Sequence, residues 1–284
     1  MLLETPREIS LAESRKICKK NGVGSLLTMP SGNSKLAKSK NWFNLGLTLA
    51  QGNLSGHETC PGRGACYEFT SRTGERVTPC LGNQGRAEHL PSITKSRIAK
   101  TRFLFTSPAD FAACLLAELR AADRKSKRDG FEGVAFRPNV LSDLDWARMA
   151  PWLFDFFPAW AIYDYTKVKG RYRQYLNGNA PKNYHLTMSF SERLQDDSIR
   201  EFLNQGGTIA VPFAIESVKN LPRTFLGFPV IDGVSSDLRF LDAPGSIVGL
   251  IAKTPKSKDA AQVFTKIVKE SGFFVSAFDS RNQY

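Results

Sequence analysis

Val-Ala-Phe-Arg (134–137), Trp-Ala-Ile-Tyr-Asp (160–164), Tyr-His-Leu-Thr-Met-Ser (184–189), Thr-Ile-Ala-Val-Pro-Phe (208–213), Pro-Val-Ile-Asp (229–232) and Ile-Val-Gly-Leu-Ile-Ala-Lys (247–253) recur through the second half of the chain. Each is a short apolar run, and most end in a polar or charged residue. Their starts lie 26, 24, 24, 21 and 18 residues apart. That is roughly the length of a strand, a helix and two short loops. Apolar runs without alternation suit parallel strands buried on both faces. The pattern predicts an α/β fold, a TIM-like (β/α) barrel of irregular spacing. Such sheets gather function at the carboxyl ends of their strands. Here those ends carry Asn139, Ser142, Asp143, Asp164, Lys167, Ser189, Glu192, Glu216, Asp232, Asp237 and Lys253.

Working outward, residues 93–105 and 108–128 read as helices. Pro108 sits at the first helical position of the second, and Gly130 ends it. Residues 7–21 read as a short basic helix. Two more strand-like runs lie at 24–29 and 43–49. With the six later ones they make eight, although these two can equally pair as a hairpin. Residues 51–92 hold Gly, Pro, Cys and His with little periodicity. They read as a Cys/Gly-rich insertion that something has to pin, because long structureless loops are rare in compact domains. Residues 259–269 read as a helix and Phe273-Phe274-Val275 as a closing segment. No linker interrupts this organisation, so a single domain over 1–284 is expected.

The chain has 284 residues, 42% of them hydrophobic and 23% charged, as in ordinary soluble globular proteins. No apolar run approaches the ~20 residues of a membrane span. Met-Leu-Leu-Glu-Thr-Pro-Arg-Glu does not read as a secretion signal. A cytoplasmic location and no membrane partner are expected. The formal net charge is +12, which favours a polyanionic partner. Lys35 and Lys38 sit in a Gly/Ser/Asn-rich loop, Arg97 and Arg102 follow at helical spacing, and Lys167, Lys169, Arg171 and Arg173 occupy the predicted loop after a strand. Tyr172 is interleaved with the last group and offers a face on which a base can stack. Lys35, Lys38, Arg97, Arg102, Lys169, Arg171, Tyr172 and Arg173 are the expected contacts to nucleic acid. The alternative is a merely solubilising distribution.

There are five cysteines. An odd count argues against a disulfide framework. Cys18 and Cys114 fall in helix-like, partly apolar segments and read as packing residues. His57-x2-Cys60-x5-Cys66-x13-Cys80 supplies the four ligands of a structural zinc site. Three thiolates alone suit an iron–sulfur cluster with one open iron, and free thiols are the plain alternative. His89 is a substitute for His57. Among the carboxylates, Asp232 stands out because Gly233 beside it permits a tight turn and close ligand approach. Asp143 and Asp164 also fall at strand ends. For each the competing reading is a helix or turn cap. Asp237 and Asp242 can pair with Arg239. His185, inside an apolar strand, reads as a core residue.

Ser-Gly-Asn-Ser-Lys (31–35), Cys-Pro-Gly-x-x-x-Cys (60–66), Cys-Leu-Gly-Asn-Gln-Gly-Arg (80–86), Arg-x-x-Lys-Thr-Arg (97–102), Tyr-Asp-Tyr-Thr-Lys (163–167), Asn-Tyr-His-Leu-Thr (183–187) and Val-Ile-Asp-Gly with Asp-Leu-Arg-Phe-Leu-Asp (230–242) resemble the phage family of gene-88-type proteins. That family is in turn similar to phage DNA-guanine transglycosylases, relatives of tRNA-guanine transglycosylase. The resemblance implies exchange of a guanine in DNA for a 7-deazaguanine of the preQ0 type, in the host cytoplasm. An aspartate attacks C1′ and displaces guanine, and the incoming base then displaces the enzyme. Retaining glycosidases use the same two-step logic. Asp232 is expected as nucleophile and Asp143 as base, with Asp164 reading the amino edge. Ser142, Lys167, Ser189, Glu216 and Asp237 complete the substrate contacts. One departure is plain: the zinc cysteines of the tRNA enzymes lie near the C-terminus, whereas here they precede most of the strands. Two other classes remain: an iron–sulfur, radical-type enzyme acting on nucleic acid, and a non-catalytic phage DNA-binding protein.

Overall fold

A computed structural model describes residues 1–30, 41–83, 90–252 and 270–284. Lys35, Lys38, His89, Lys253 and the helix expected at 259–269 lie outside the described residues. In chain order the strands are β1 (Leu27–Thr28), β2 (Trp42–Leu47), β3 (Phe69–Thr70), β4 (Arg76–Val77), β5 (Gly133–Arg137), β6 (Ala161–Thr166), β7 (Tyr184–Ser189), β8 (Ile209–Ala214), β9 (Thr224–Phe225), β10 (Phe228–Asp232), β11 (Ile247–Ile251), β12 (Val275–Ser276) and β13 (Asn282–Gln283). The helices are α1 (Leu11–Lys20), α2 (Pro91–Thr106), α3 (Pro108–Arg128), α4 (Trp146–Met149), α5 (Trp152–Phe156), α6 (Lys169–Leu176) and α7 (Asp196–Asn204). The protein is mixed α/β, and all six apolar runs of the second half contain strands. The chain divides into two compact units: Met1–Pro61, Gln84–Asp164 and Ala180–His185 form one, and Gly62–Asn83, Tyr165–Asn179 and Leu186–Tyr284 the other.

In the first unit the strand order is β1-β2-β5-β6. β2 and β5 are parallel, with Phe43 opposite Val134 and Gly46 opposite Arg137. β5 and β6 are parallel through Ala135 and Ala161. Phe43 to Leu47 are buried without alternation, as a strand covered on both faces requires. β1 runs antiparallel to β2, pairing Leu27 with Leu47. The first two strand-like runs are therefore the hairpin alternative and do not form a parallel repeat.

Helix signals in the sequence sit where the helices begin and end. Ser10 caps α1 by accepting the Glu13 N–H at 3.1 Å. Pro108 opens α3, and Gly130, at φ +74°, follows its end in the left-handed region that glycine tolerates. Helix α3 buries Phe111 to Ala117 against the core. Glu118 on α3 accepts the Leu26 and Leu27 N–H groups at 2.9 Å each. Buried Lys100 on α2 donates to the Leu26 carbonyl at 2.9 Å. These two charged groups satisfy backbone that the short β1 leaves unpaired.

In the second unit β7 pairs with β8 through Met188 and Ile209. β8 lies parallel to β11, from Ile209–Ile247 to Phe213–Ile251, and β11 is parallel to β10. β12 adds to β8 through Val275 and Phe213, so Phe273-Phe274-Val275 does close against the sheet. β9 and β10 are antiparallel, joined by Leu226 at φ 55° and Gly227 at φ 83°. That is the two-residue turn whose twist suits a hairpin. β3 and β4 form a separate hairpin within the Cys-rich stretch. Residues 169–176, expected as loop, are helix α6. Its first turn puts Arg171 and Tyr172 into the core, a burial that sequence spacing did not signal.

Candidate functional site

In the first unit β2, β5 and β6 run parallel, so their carboxyl ends share one edge. Asp164 lies in β6 and is fully buried. Its Oδ1 accepts the Asn139 backbone N–H at 3.0 Å, and its Oδ2 accepts Asn139 Nδ2 at 2.6 Å and the Tyr184 hydroxyl at 3.4 Å. Asn139, two residues beyond β5, is the hub of the site. Its Oδ1 accepts Ser142 Oγ at 2.7 Å, the Leu144 N–H at 3.0 Å and Trp146 Nε1 at 3.1 Å. Its Nδ2 also donates to the Leu144 carbonyl at 2.9 Å. Arg137 Nε donates to the Asn139 carbonyl at 3.3 Å.

Burial pushes the Asp164 carboxyl up, while the positive charge of Arg137 and the hydrogen bonds from Asn139 hold it back. The balance is about 7. Near neutral pH this group therefore exchanges a proton, the property that a strand-end carboxyl needs for acid–base chemistry. Ser142 and Asp143, both nearly buried, occupy the same loop. The Asp143 N–H donates to the Thr59 carbonyl at 2.7 Å, which ties the loop after β5 to the loop after β2. Cys60 continues that tie. Its Sγ accepts the Gly52 N–H at 3.3 Å and lies 3.3 Å from the Leu141 carbonyl. The expected trio of Ser142, Asp143 and Asp164 is thus gathered around Asn139. Sequence reasoning placed Asn139 on the rim and gave it no role. Tyr184 and Thr59 were missed entirely, because their part depends on packing.

The other expected residues fall elsewhere. Arg102 is exposed on α2, its Nε donating to the Ser55 carbonyl at 3.2 Å, and Arg97 is half-buried on the same helix. In the second unit Lys167 Nζ donates to Ser189 Oγ at 2.5 Å and to the Phe190 carbonyl at 3.3 Å. Lys169 is half-buried at the start of α6. Arg171 is buried on Thr166 Oγ1 at 3.1 Å. Arg173 is exposed and paired with Glu201 at 2.8 Å. Tyr172 presents no free face for a base: it is fully buried, edge-on to Phe202, with its hydroxyl on the Thr208 carbonyl at 2.8 Å. The reason is that α6 is a helix whose inner face meets the core.

Glu216 is exposed after β8. Asp232 is exposed at the end of β10 and caps its own turn, with Oδ1 accepting the Val234 N–H at 2.7 Å and the Ser235 N–H at 3.1 Å. Its Oδ2 takes the Ser235 hydroxyl. Partial burial opposes ionisation, but these hydrogen bonds prevail and hold the carboxyl below its ordinary value. Asp237 is buried. Arg239 lies 3.3 Å from Asp242, whose carboxyl burial pushes to about 6. His185 is half-buried, and burial lowers its pKa.

Among the described residues no group of three or more His, Cys, Asp or Glu side chains is arranged to hold an ion. His57 instead lies flat on Phe105, ring centroids 4.3 Å apart. Hydrogen bonds pin parts of the stretch: Thr59 Oγ1 donates to the Ala50 carbonyl at 2.6 Å, and Ala65 N–H donates to Glu192 at 3.1 Å. All five cysteines are free thiols, with Cys18 and Cys114 buried as read from the sequence.

A protein-family model described as Gene product 88 matches residues 25–266. No curated protein and no solved structure matches the chain.

Proposed function

We propose, from the premise that the chain belongs to the gene product 88 family of bacteriophage proteins, that it is an enzyme acting on DNA bases. The reaction is exchange of guanine for a 7-deazaguanine of the preQ0 type. The observation that carries the reading is Asp164, buried in a parallel strand, near neutral in pKa and framed by Asn139, Ser142 and Tyr184. The net charge of +12 supports a polyanionic substrate. The TIM-like barrel expected from the strand spacing belongs to the same proposal.

In the proposed exchange an aspartate forms a bond to C1′ as the bond from C1′ to N9 of guanine breaks. Guanine leaves with a proton on nitrogen that the second carboxyl group, in its acid form, supplies. The incoming base gives up its ring N–H proton to a carboxylate and attacks C1′, which releases the aspartate. Asp143 is the proposed base, and Asp164 acts through Asn139 on the polar edge around it. Asp232 is the proposed nucleophile. Its lowered pKa keeps it ionised, as attack requires, and the hydrogen bonds of its own turn restrain it. No step is assigned to a metal. A DNA-binding protein without catalysis is the second reading, favoured by the same restraint: Asp232 can simply be a turn cap.

Nucleoside mass spectrometry tests the proposal. DNA is incubated with preQ0 and the wild type, Asp143→Ala or Asp232→Ala. A deazaguanine deoxynucleoside formed by the wild type and lost in both variants is the expected result. Product retained in either variant removes that residue from its role. No product at all, with DNA bound, transfers the weight to the binding-only reading. Absorbance near 400 nm in a brown preparation indicates the iron–sulfur class.

A further inference from the structure

We infer that the solvent face of α1 docks on the phosphate backbone of duplex DNA, a choice of partner that rests on the proposed function but needs no base exchange. Arg15, Lys16, Lys19 and Lys20 are all exposed on this helix. At about 100° per residue they share an arc of about 140° and about 7.5 Å of helix axis. Ser14 and Cys18, on the opposite side, are buried. That side is held against α3, where Ser14 Oγ lies 3.5 Å from the Cys114 carbonyl and Cys114 Sγ 3.6 Å from the Ser14 carbonyl. At the end of α1 the Gly22 N–H donates to the Lys19 carbonyl at 3.0 Å and the Val23 N–H to the Cys18 carbonyl at 2.9 Å. The basic stripe is therefore carried on an element fixed along its inner side and at its end.

Acids close to α1 already have partners. Arg7 pairs with Glu13 at 3.0 Å and with Asp110 at 3.1 Å, and Arg120 pairs with Glu8 at 2.7 Å. Among the described residues no ion pair reaches Lys16, Lys19 or Lys20. Arg15 is drawn toward buried Glu118, whose oxygens accept the Leu26 and Leu27 N–H groups. The cations at the end of α3 differ: Lys125 and Arg128 pair with Asp129, and Lys127 with Asp123. On α1, Arg15 and Lys19, and likewise Lys16 and Lys20, are like charges four residues apart, which repel on a helix. The negative end of the helix dipole offsets part of this for Lys19 and Lys20, and an external polyanion offsets the rest. Duplex DNA carries one negative charge per ~1.7 Å of its axis, dense enough to meet several of these cations at once. Three of the four are lysines, whose ammonium is a point charge that holds a phosphate without reading a base. Binding through this face is therefore independent of sequence.

Fluorescence anisotropy of a labelled duplex of about 20 base pairs, between about 50 and 200 mM salt, tests the face with the full-length protein. The slope of log affinity against log salt counts phosphate contacts at about 0.9 each. Replacing Lys16, Lys19 and Lys20 together by glutamine is expected to lower that slope by about 2.7. Replacing all three by arginine keeps the cations and is expected to keep the slope. Lys125, Lys127 and Arg128 of α3, replaced together by glutamine, remove the same charge and are expected to leave the slope unchanged. If thermal unfolding shows the α1 glutamine variant to be misfolded, Lys20→Gln alone decides the case by a fall of about 0.9. An unchanged slope in the folded α1 variant, or an equal fall in the α3 variant, overturns the inference while leaving the base-exchange proposal standing. A slope that falls as expected in a protein that forms no deazaguanine nucleoside supports the face and removes base exchange. Wild type that binds phosphatidylserine vesicles but not the duplex assigns the face to a membrane surface and overturns the inference, as does wild type that binds neither.

Discussion

Replacing Asp164 with asparagine is expected to flatten the pH dependence of stability between about pH 4 and 7. The carboxyl is fully buried, and its pKa rises from 3.8 to about 7 on folding. Each unit is worth about 1.4 kcal/mol, so roughly three units correspond to about 4 kcal/mol. The sign follows from proton counts. Between the two values the folded state keeps a proton that the unfolded state has released. Stability therefore falls as pH rises through this window and levels off above pH 7. Asparagine does not titrate, so Asp164→Asn removes the slope that this group contributes. At low pH the variant is the less stable protein, because its amide meets Asn139 Nδ2, which lies 2.6 Å from Asp164 Oδ2 in the wild type. Urea unfolding of both proteins at half-unit steps from pH 4 to 8 gives the comparison. Glu118 and Asp242, whose carboxyls are also raised, remain in both and cancel in the difference. The stability gap between wild type and variant is expected to narrow by about 4 kcal/mol across the window. A gap that stays constant within about 1 kcal/mol would refute the assignment of a near-neutral pKa to Asp164.

Other outcomes follow from the same contacts. Asn139→Ala orphans the Trp146 and Leu144 N–H groups and removes the Nδ2 donor to Asp164, which keeps the backbone N–H, and is expected to cost about 3–5 kcal/mol in urea unfolding. Tyr172→Phe removes a hydroxyl that both accepts the Thr208 N–H at 2.7 Å and donates to its carbonyl, a loss of about 1–3 kcal/mol. Gly207→Ala puts a Cβ 2.5 Å from that hydroxyl and 2.8 Å from the Phe202 carbonyl. The two changes should be non-additive, the phenylalanine relieving part of the alanine clash in a double-mutant cycle. Ellman's reagent should titrate half-exposed Cys60, Cys66 and Cys80 in the native protein, and Cys18 and Cys114 only after unfolding. If the three react only after a chelator is added, they hold a metal.

The sequence by itself determined the local elements. Apolar runs without alternation announced strands, and those at 134, 160, 184, 208, 229 and 247 all contain one, although the run at 229 gives a half-exposed strand. Pro108 and Gly130 bounded a helix because one lacks an N–H and the other tolerates a positive φ. The place of Ser142 and Asp143 beyond β5 was also legible, since it follows from where that strand stops, whereas Asp164, expected at a strand end, lies buried inside β6, which runs on to Thr166. Tertiary structure decided the rest. Whether 24–29 and 43–49 form a hairpin depends on pairing, and periodicity carries no strand direction. The burial of Arg171 and Tyr172 depends on which face of α6 meets Phe202, a contact made across 30 residues. Asp164 draws its near-neutral pKa from burial set against Asn139, Tyr184 and Arg137. A chain that encodes a carboxylate at a strand end does not encode its proton affinity, because that affinity is set by the dielectric and the donors that folding brings to it.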